Sequence, residues 1–262
     1  MTKNIQLSFS GLSASVASDS FSKTGYILEI GGAEQSHVDL ANPDHIFYEY
    51  LRRIGHLADV VAPAGQPMTA AHLGAGALTL VRYVQATRPG SRQIAVDIER
   101  ELPSFVISQL PLPAGTDCQI LIEDAAAAAP NLNGYLNAPE GIDLLVLDIF
   151  SGWSAPEHLT TPVFYTDLRD ALAQEGMLAV NVGDDAGLTF FAAQARTLLE
   201  TFEHVWCLTE SSMLTAQHAG NLILVGSQRP LDADTRARLL AAGPHPASVL
   251  DTHELAGWVS EL

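Results

Sequence analysis

Ala70-Ala71-His72-Leu73-Gly74-Ala75-Gly76-Ala77-Leu78 decides the fold of this chain, together with Asp97 at the end of the next apolar run. A short apolar run, a glycine turn and a helical pattern read as strand, tight loop and helix. Glycines at 74 and 76 let a ligand approach the strand end closely, and an acid after the second strand suits a ribose diol. These residues point to a nucleoside-bearing cofactor. A dinucleotide fingerprint would place a third glycine where Thr79 stands, which argues against a nicotinamide enzyme.

From Thr69 onward the pattern alternates. Strands are expected at 70–73, 93–97, 119–122, 142–148, 177–181, 205–209 and 221–227. Helices are expected at 78–87, 99–109, 164–173 and 188–202. This order implies an α/β fold: an open, mostly parallel seven-stranded sheet with helices on both faces. The last two strands are about a dozen residues apart without a helix between them, so the final one is expected to be antiparallel. Residues 231–242 and 253–262 read as closing helices around Gly243-Pro244-His245-Pro246. Residues 1–60 read as a separate small region. Tyr26 to Ile30, Gly31-Gly32 and Gln35 to Asp39 form a β-hairpin that must lean on the larger unit, 61–262, and Phe47 to Leu57 is a linking helix.

The 262 residues carry 30 acids against 13 Lys and Arg, a formal charge of −17. That balance disfavours nucleic acid and anionic membrane as partners and suits a cationic substrate, although acids also serve solubility. The start of the chain lacks a basic flank followed by an apolar stretch, and no run reaches the length of a membrane span, so a cytoplasmic setting is expected. Cys118 and Cys207 stand far apart in apolar runs, with no disulfide framework. The nine histidines show no ligand spacing, so no metal site is expected, and Ser13, Ser151 and Ser154 lie outside any nucleophile elbow.

Three carboxylates stand at successive strand ends. Asp97 suits a ribose. Asp124, in Glu123-Asp124-Ala125, suits an exocyclic amine such as adenine N6, or caps the alanine run that follows. Asp148, at the end of Ile142-Asp143-Leu144-Leu145-Val146-Leu147-Asp148, lies at the rim where ligands of such sheets bind; burial there makes it a base or amine partner, its other role being a turn cap.

Taken together, these residues resemble the spermidine synthase family, aminopropyltransferases built on the fold of S-adenosylmethionine-dependent (class I) methyltransferases. The resemblance runs from about Gly25 to Ser227. It rests on Gln35 with Asp39 behind it, Glu49 in the next helix, and Leu73-Gly74-Ala75-Gly76 with Arg82. It continues through Val96-Asp97-Ile98-Glu99, Glu123-Asp124-Ala125, Leu147-Asp148, Pro156-Glu157-His158-Leu159, Phe164-Tyr165, Leu172 and Gly176.

The resemblance implies decarboxylated S-adenosylmethionine, or S-adenosylmethionine, as co-substrate rather than a tightly bound cofactor. Gly74 and Gly76 would admit it, with Gln35 at its aliphatic end, Asp97 on the ribose and Asp124 at adenine. Asp148 would stand between donor and a small-molecule amine acceptor. Tyr48, Glu49, Ser151 and Tyr165 are the acceptor-side candidates, Tyr165 having core packing as its other role. A homodimer through the N-terminal hairpin is also implied.

The sequence departs from the family pattern on the acceptor side. Ala77 replaces an Asp, Leu78 and Thr79 replace two glycines, Ser151 replaces a second Asp, and Phe47-Tyr48-Glu49 stands for a Tyr-His-Glu triplet. Each change removes or moves a group that would meet a cationic amine, so putrescine is a doubtful acceptor. A methyltransferase on the same fold and a non-catalytic binding protein are the rival readings.

Overall fold

In the computed structural model, which describes residues 3–149 and 155–262, the alternating runs form one eight-stranded sheet. Its strands are β5 (Thr69–Leu73), β6 (Arg92–Asp97), β7 (Asp117–Ile122), β8 (Ile142–Leu147), β9 (Leu172–Asp184), β10 (His204–Glu210), β11 (Gly220–Ser227) and β12 (Ala247–Leu250), in the spatial order β12-β10-β11-β9-β8-β5-β6-β7. Pairings from β7 to β9 are parallel, whereas β11 runs antiparallel between β9 and β10. The order reverses between β5 and β8, whose carboxyl ends carry Gly74 and Asp148. Ligands of open α/β sheets bind at such a switch point.

The central parallel strands β5 and β8 are mostly buried and apolar because helices cover both faces. Ala71, Leu73, Val96, Leu145, Leu147 and Val180 face one layer, built from α4 (Ala125–Ala128), α5 (Leu132–Leu136), α6 (Pro162–Ala171), α7 (Thr189–Thr201) and α9 (Thr252–Glu261). Leu144, Val146, Met177 and Ala179 face the other, where α1 (Glu49–Val61) and α8 (Ala233–Ala242) pack. On that same side, further along the sheet, lie α2 (Thr79–Thr87) and α3 (Leu102–Gln109). The seven expected strands are all present; the eighth, β12, is a four-residue edge strand pairing antiparallel with β10.

The N-terminal region holds more than the expected hairpin. That hairpin is β3 (Gly25–Ile30) and β4 (Ala33–Asp39), joined by Gly31 and Gly32, both at positive φ as a tight two-residue turn demands. Before it, β1 (Lys3–Gln6) and β2 (Ser13–Ser18) extend the sheet to four antiparallel strands in sequential order. Its apolar face does not stand alone. Leu7, Ala14, Val16, Leu28 and Val38 bury against Ala75, Ala77, Leu78 and Val81 and against Leu102, Phe105 and Val106 of α3. The small sheet therefore sits directly on the glycine turn. Among the described residues no helix is long and apolar enough to cross a membrane, and no group of three His, Cys, Asp or Glu residues has the arrangement of a metal site.

Candidate functional site

The turn after β5 is shaped by its neighbours. Gly74 has φ +95°, and a Cβ there would lie 2.2 Å from the carbonyl oxygen of Asp148, so the backbones of the turn and of the β8 end touch. Gly76, at φ +47°, faces Ser36 of β4, whose Oγ accepts a hydrogen bond from the Ala77 amide at 3.2 Å. Thr79 Oγ1 donates to the His37 carbonyl at 3.0 Å, fixing β4 to the start of α2. Gln35, half-buried, precedes Ser36 on that strand. Leu78 adopts the left-handed conformation (φ 59°) at the α2 N-cap, a backbone that glycine adopts without strain and leucine only at a cost of roughly 1–2 kcal/mol. Leu78 compensates by burying its side chain in the seam with the N-terminal sheet.

Asp97 braces this turn from β6. One oxygen accepts the Ala75 amide at 2.9 Å and the other the Glu99 amide at 2.8 Å. Burial pushes its carboxyl above the usual range, although those two amides oppose the shift. Each oxygen keeps a second lone pair for a ligand hydroxyl. The next acids anchor the β1–β2 turn: Glu99 accepts the Phe9 and Ser10 amides, and Glu101 the amide and hydroxyl of Ser8.

Asp148, the expected catalytic residue, directly follows β8 at its carboxyl end. Its Oδ1 accepts from Asn181 Nδ2 at 2.8 Å, Asn181 Oδ1 in turn accepts from Asn221 Nδ2 at 3.0 Å, and Tyr50 Oη lies 3.5 Å from Asp148 Oδ2. Burial pushes the Asp148 carboxyl up, with the Asn181 and Tyr50 bonds pulling the other way. Burial and the adjoining carboxylate hold the Tyr50 phenol well above its ordinary range. Tyr50 and Asn181 were not among the expected site residues. Tyr50 reads in sequence as one more apolar position of a helix, but Asn181, a lone amide inside an otherwise apolar strand, is a signal open to reading.

The remaining candidates divide. Asp124 caps α4, with Oδ1 accepting from Ala126 and Ala127 amides, and its Oδ2 lies 2.9 Å from His158 Nε2. Tyr48 donates to Glu34 Oε2 at 2.9 Å, and its ring stacks on Tyr50 at 6.3 Å and 17°. Two further candidates make other contacts. Tyr165 is fully buried and its hydroxyl donates to Gln194 Oε1 at 2.7 Å, so it is a core side chain holding α6 to α7. Glu49 is exposed and lies 3.7 Å from Arg53 one turn on, an i,i+4 pair on its own helix. Ser151 and Trp153 lie outside the described residues. Ala77, where an acid was missed, is buried at 1% exposure in the seam with the small sheet.

A glycine turn at the sheet switch point, an acid behind it and a half-buried Asp on the neighbouring strand end compose one rim. No family model matches the chain. Among curated proteins, the polyamine aminopropyltransferase of Neisseria meningitidis serogroup A (strain Z2491) is 24% identical over 149 residues, 56% of this chain and 53% of that protein. The chain thus matches about half the length of that relative. A probable spermidine synthase from Corynebacterium glutamicum ATCC 13032 superposes with a TM-score of 0.87 at 24% identity, covering 99% of this chain and 94% of the other. The chain is spermidine synthase-like in sequence and in fold. A spermidine synthase in complex with the transition-state analogue AdoDATO follows at a TM-score of 0.60 and 15% identity, covering 87% and 72% of the two chains. Human methyltransferase-like protein 13 in complex with SAH gives 0.56 at 17% identity, covering 80% and 89%. The spermidine synthase-like architecture is therefore the class I methyltransferase sheet preceded by a small antiparallel one.

Proposed function

We propose that the protein is a transferase that binds an S-adenosyl nucleoside, decarboxylated S-adenosylmethionine or S-adenosylmethionine, and passes an aminopropyl group from the former to a small-molecule amine. The observation that carries this reading is Asp148, raised in pKa by burial and placed where the β8 end touches the Gly74 turn. The transition-state analogue and SAH held by the two structural neighbours support a nucleoside in the corresponding cleft.

In this reading Gly74 and Gly76 give the nucleoside room, Asp97 receives the ribose, Asp124 faces the adenine amine, and Gln35 lies by the aliphatic end. The acceptor arrives as an ammonium at Asp148. Loss of one proton, through the carboxylate to water, frees the nitrogen lone pair. The nitrogen then attacks the carbon beside the sulfonium in line; the carbon–sulfur bond breaks, and its electron pair stays on sulfur as a neutral thioether. The transferred group forms a new carbon–nitrogen bond, and the product nitrogen carries the positive charge. A raised carboxyl pKa suits Asp148 to this relay, because it narrows the gap to the ammonium it serves.

Titration calorimetry with S-adenosylmethionine, its decarboxylated form and methylthioadenosine tests the proposal. Binding of the decarboxylated form in preference to S-adenosylmethionine is expected; no binding of any of the three overturns it, and the reverse preference replaces it with a methyltransferase. An Asp148→Asn protein that keeps full activity would leave only a non-catalytic binding role. We further propose that residues 1–60 cover the donor side of a catalytic unit, 61–262, and that the protein works in the cytoplasm as a homodimer. Light scattering of the purified chain checks the last point, a monomer mass being the refuting result.

A further inference from the structure

We infer that the protein carries a second binding site, on the side of α1 away from the rim, for a single phosphate-sized oxyanion. The site is a cavity of about 160 Å³ lined by Asp44, His45, Ile46, Arg52, His56 and Tyr83. That volume is below the range of pockets that take a nucleotide or another ligand of that size. On a helix of 3.6 residues per turn, Arg52 and His56 stand roughly 40° apart, whereas Arg52 stands roughly 200° from Tyr50, which reaches Asp148. The cavity thus shares an element with the rim but not a face. Its apolar walls are close: a Cβ at Gly55 would lie 2.7 Å from Ile46 Cδ1 and 3.5 Å from Tyr83 Cε1.

Two polar atoms decide the ligand. Arg52 Nε and His56 Nε2 are both sealed from solvent, and neither has a hydrogen-bond partner among the described residues. Buried polar atoms are nearly always bonded, and a guanidinium only donates, so Arg52 calls for an acceptor. Its one protein acceptor is the Phe47 carbonyl, 3.3 Å from Nη2, and among the described residues no carboxylate forms an ion pair with it. Asp59, on the same face of α1, is already engaged: Arg88 Nη2 lies 2.7 Å from its Oδ1, and the Tyr83 hydroxyl donates to the carboxylate at 2.9 Å. Its Oδ2 faces His56 Nδ1 at 3.6 Å, which turns Nε2 the other way. Asp44, the remaining acid, is exposed to water. One protonated oxyanion answers both orphaned atoms. Its oxygens accept from Arg52, and at His56 it gives an O–H to the neutral ring or accepts from the charged one.

Inorganic phosphate and a phosphomonoester share that chemistry. Calorimetry of the full chain at pH 7, in phosphate-free buffer at fixed ionic strength, would compare inorganic phosphate, glycerol 3-phosphate and acetate. Phosphate is expected to bind saturably at one site per chain, at least about tenfold more tightly than acetate; tighter binding of glycerol 3-phosphate assigns the site to a phosphomonoester. Arg52→Met and His56→Leu are each expected to weaken phosphate at least about tenfold, while Arg169→Met, which removes a surface arginine paired with Asp170, leaves it unchanged. Proton NMR of the natural chain reads the same site without a substitution: the His56 ring signals are expected to move with phosphate while those of buried His72 stay. Absence of saturable phosphate binding overturns the inference, as does acetate binding equally well or a His56 signal that phosphate does not shift. Phosphate binding that survives Arg52→Met and His56→Leu, or falls equally in all three variants, overturns it too.

Discussion

Replacing Gly74 by alanine is the sharpest test of how the rim is built. Two costs arise. At φ +95° a Cβ meets backbone strain of roughly 1–2 kcal/mol. In addition the new Cβ would lie 2.2 Å from the Asp148 carbonyl oxygen and 2.9 Å from its carbon, far inside contact, and both are backbone atoms that cannot swing aside. Such overpacking costs roughly 1–3 kcal/mol. Gly187 supplies the control: its φ is +93°, yet nothing lies within 4 Å of a Cβ there. Gly187→Ala therefore carries the strain alone. In urea unfolding at fixed m-value, Gly74→Ala is expected to lose about 1–3 kcal/mol more than Gly187→Ala. Because relief comes from moving the Asp148 backbone, Gly74→Ala should also weaken binding of methylthioadenosine, which Gly187→Ala should not. Equal destabilisation by the two substitutions would refute the claim that the turn and the β8 end are in backbone contact.

Asp148→Asn is expected to abolish transfer while leaving stability at neutral pH equal to or above that of the natural chain. The sign follows from the raised pKa: the protonated carboxyl is the form the fold favours, so its contribution is full below the unfolded value near 3.9 and is lost as pH rises through the folded value. Urea unfolding between pH 4 and 7.5 should show that decline shrink in Asp148→Asn; an unchanged profile would count against burial as the cause. Tyr165→Phe leaves Gln194 Oε1 without its donor and should cost roughly 1–3 kcal/mol in stability with no change in nucleoside or amine affinity. A changed amine affinity at unchanged stability would return Tyr165 to the site. Asp97→Asn keeps one acceptor oxygen for two amides and should lower both stability, by about 1 kcal/mol, and nucleoside affinity; a drop in stability alone would limit Asp97 to bracing the turn.

The sheet was legible because its central parallel strands are buried on both faces and stand out as apolar runs between helical patterns. The antiparallel β11 was legible from the missing helix before it. β1, β2 and β12 escaped notice for physical reasons. Ser13-Ala14-Ser15-Val16-Ala17-Ser18 alternates small residues with serines, and its strand character comes from burying Ala14 and Val16 on α3, a long-range contact. β12 is four residues at a sheet edge. In the site, acids at strand ends were visible because their position follows from the sheet. What sequence spacing could not supply was the direction of a helical side chain. Glu49 and Tyr50 are neighbours in sequence, yet the first pairs along its helix and the second reaches Asp148.

The strand β11 has a consequence for how this protein comes into being. It follows β10 in the chain but lies between β9 and β10 in the sheet, and it brings Asn221 to the amide that holds Asp148. On a ribosome, the glycine turn, Asp97, Asp148 and Asn181 are all made before residue 200, yet the Asn181 amide that holds Asp148 gains its Asn221 partner only once β11 is in place. A nascent or truncated chain ending before residue 220 would hold the parts of the rim without the amide relay that orients its carboxylate.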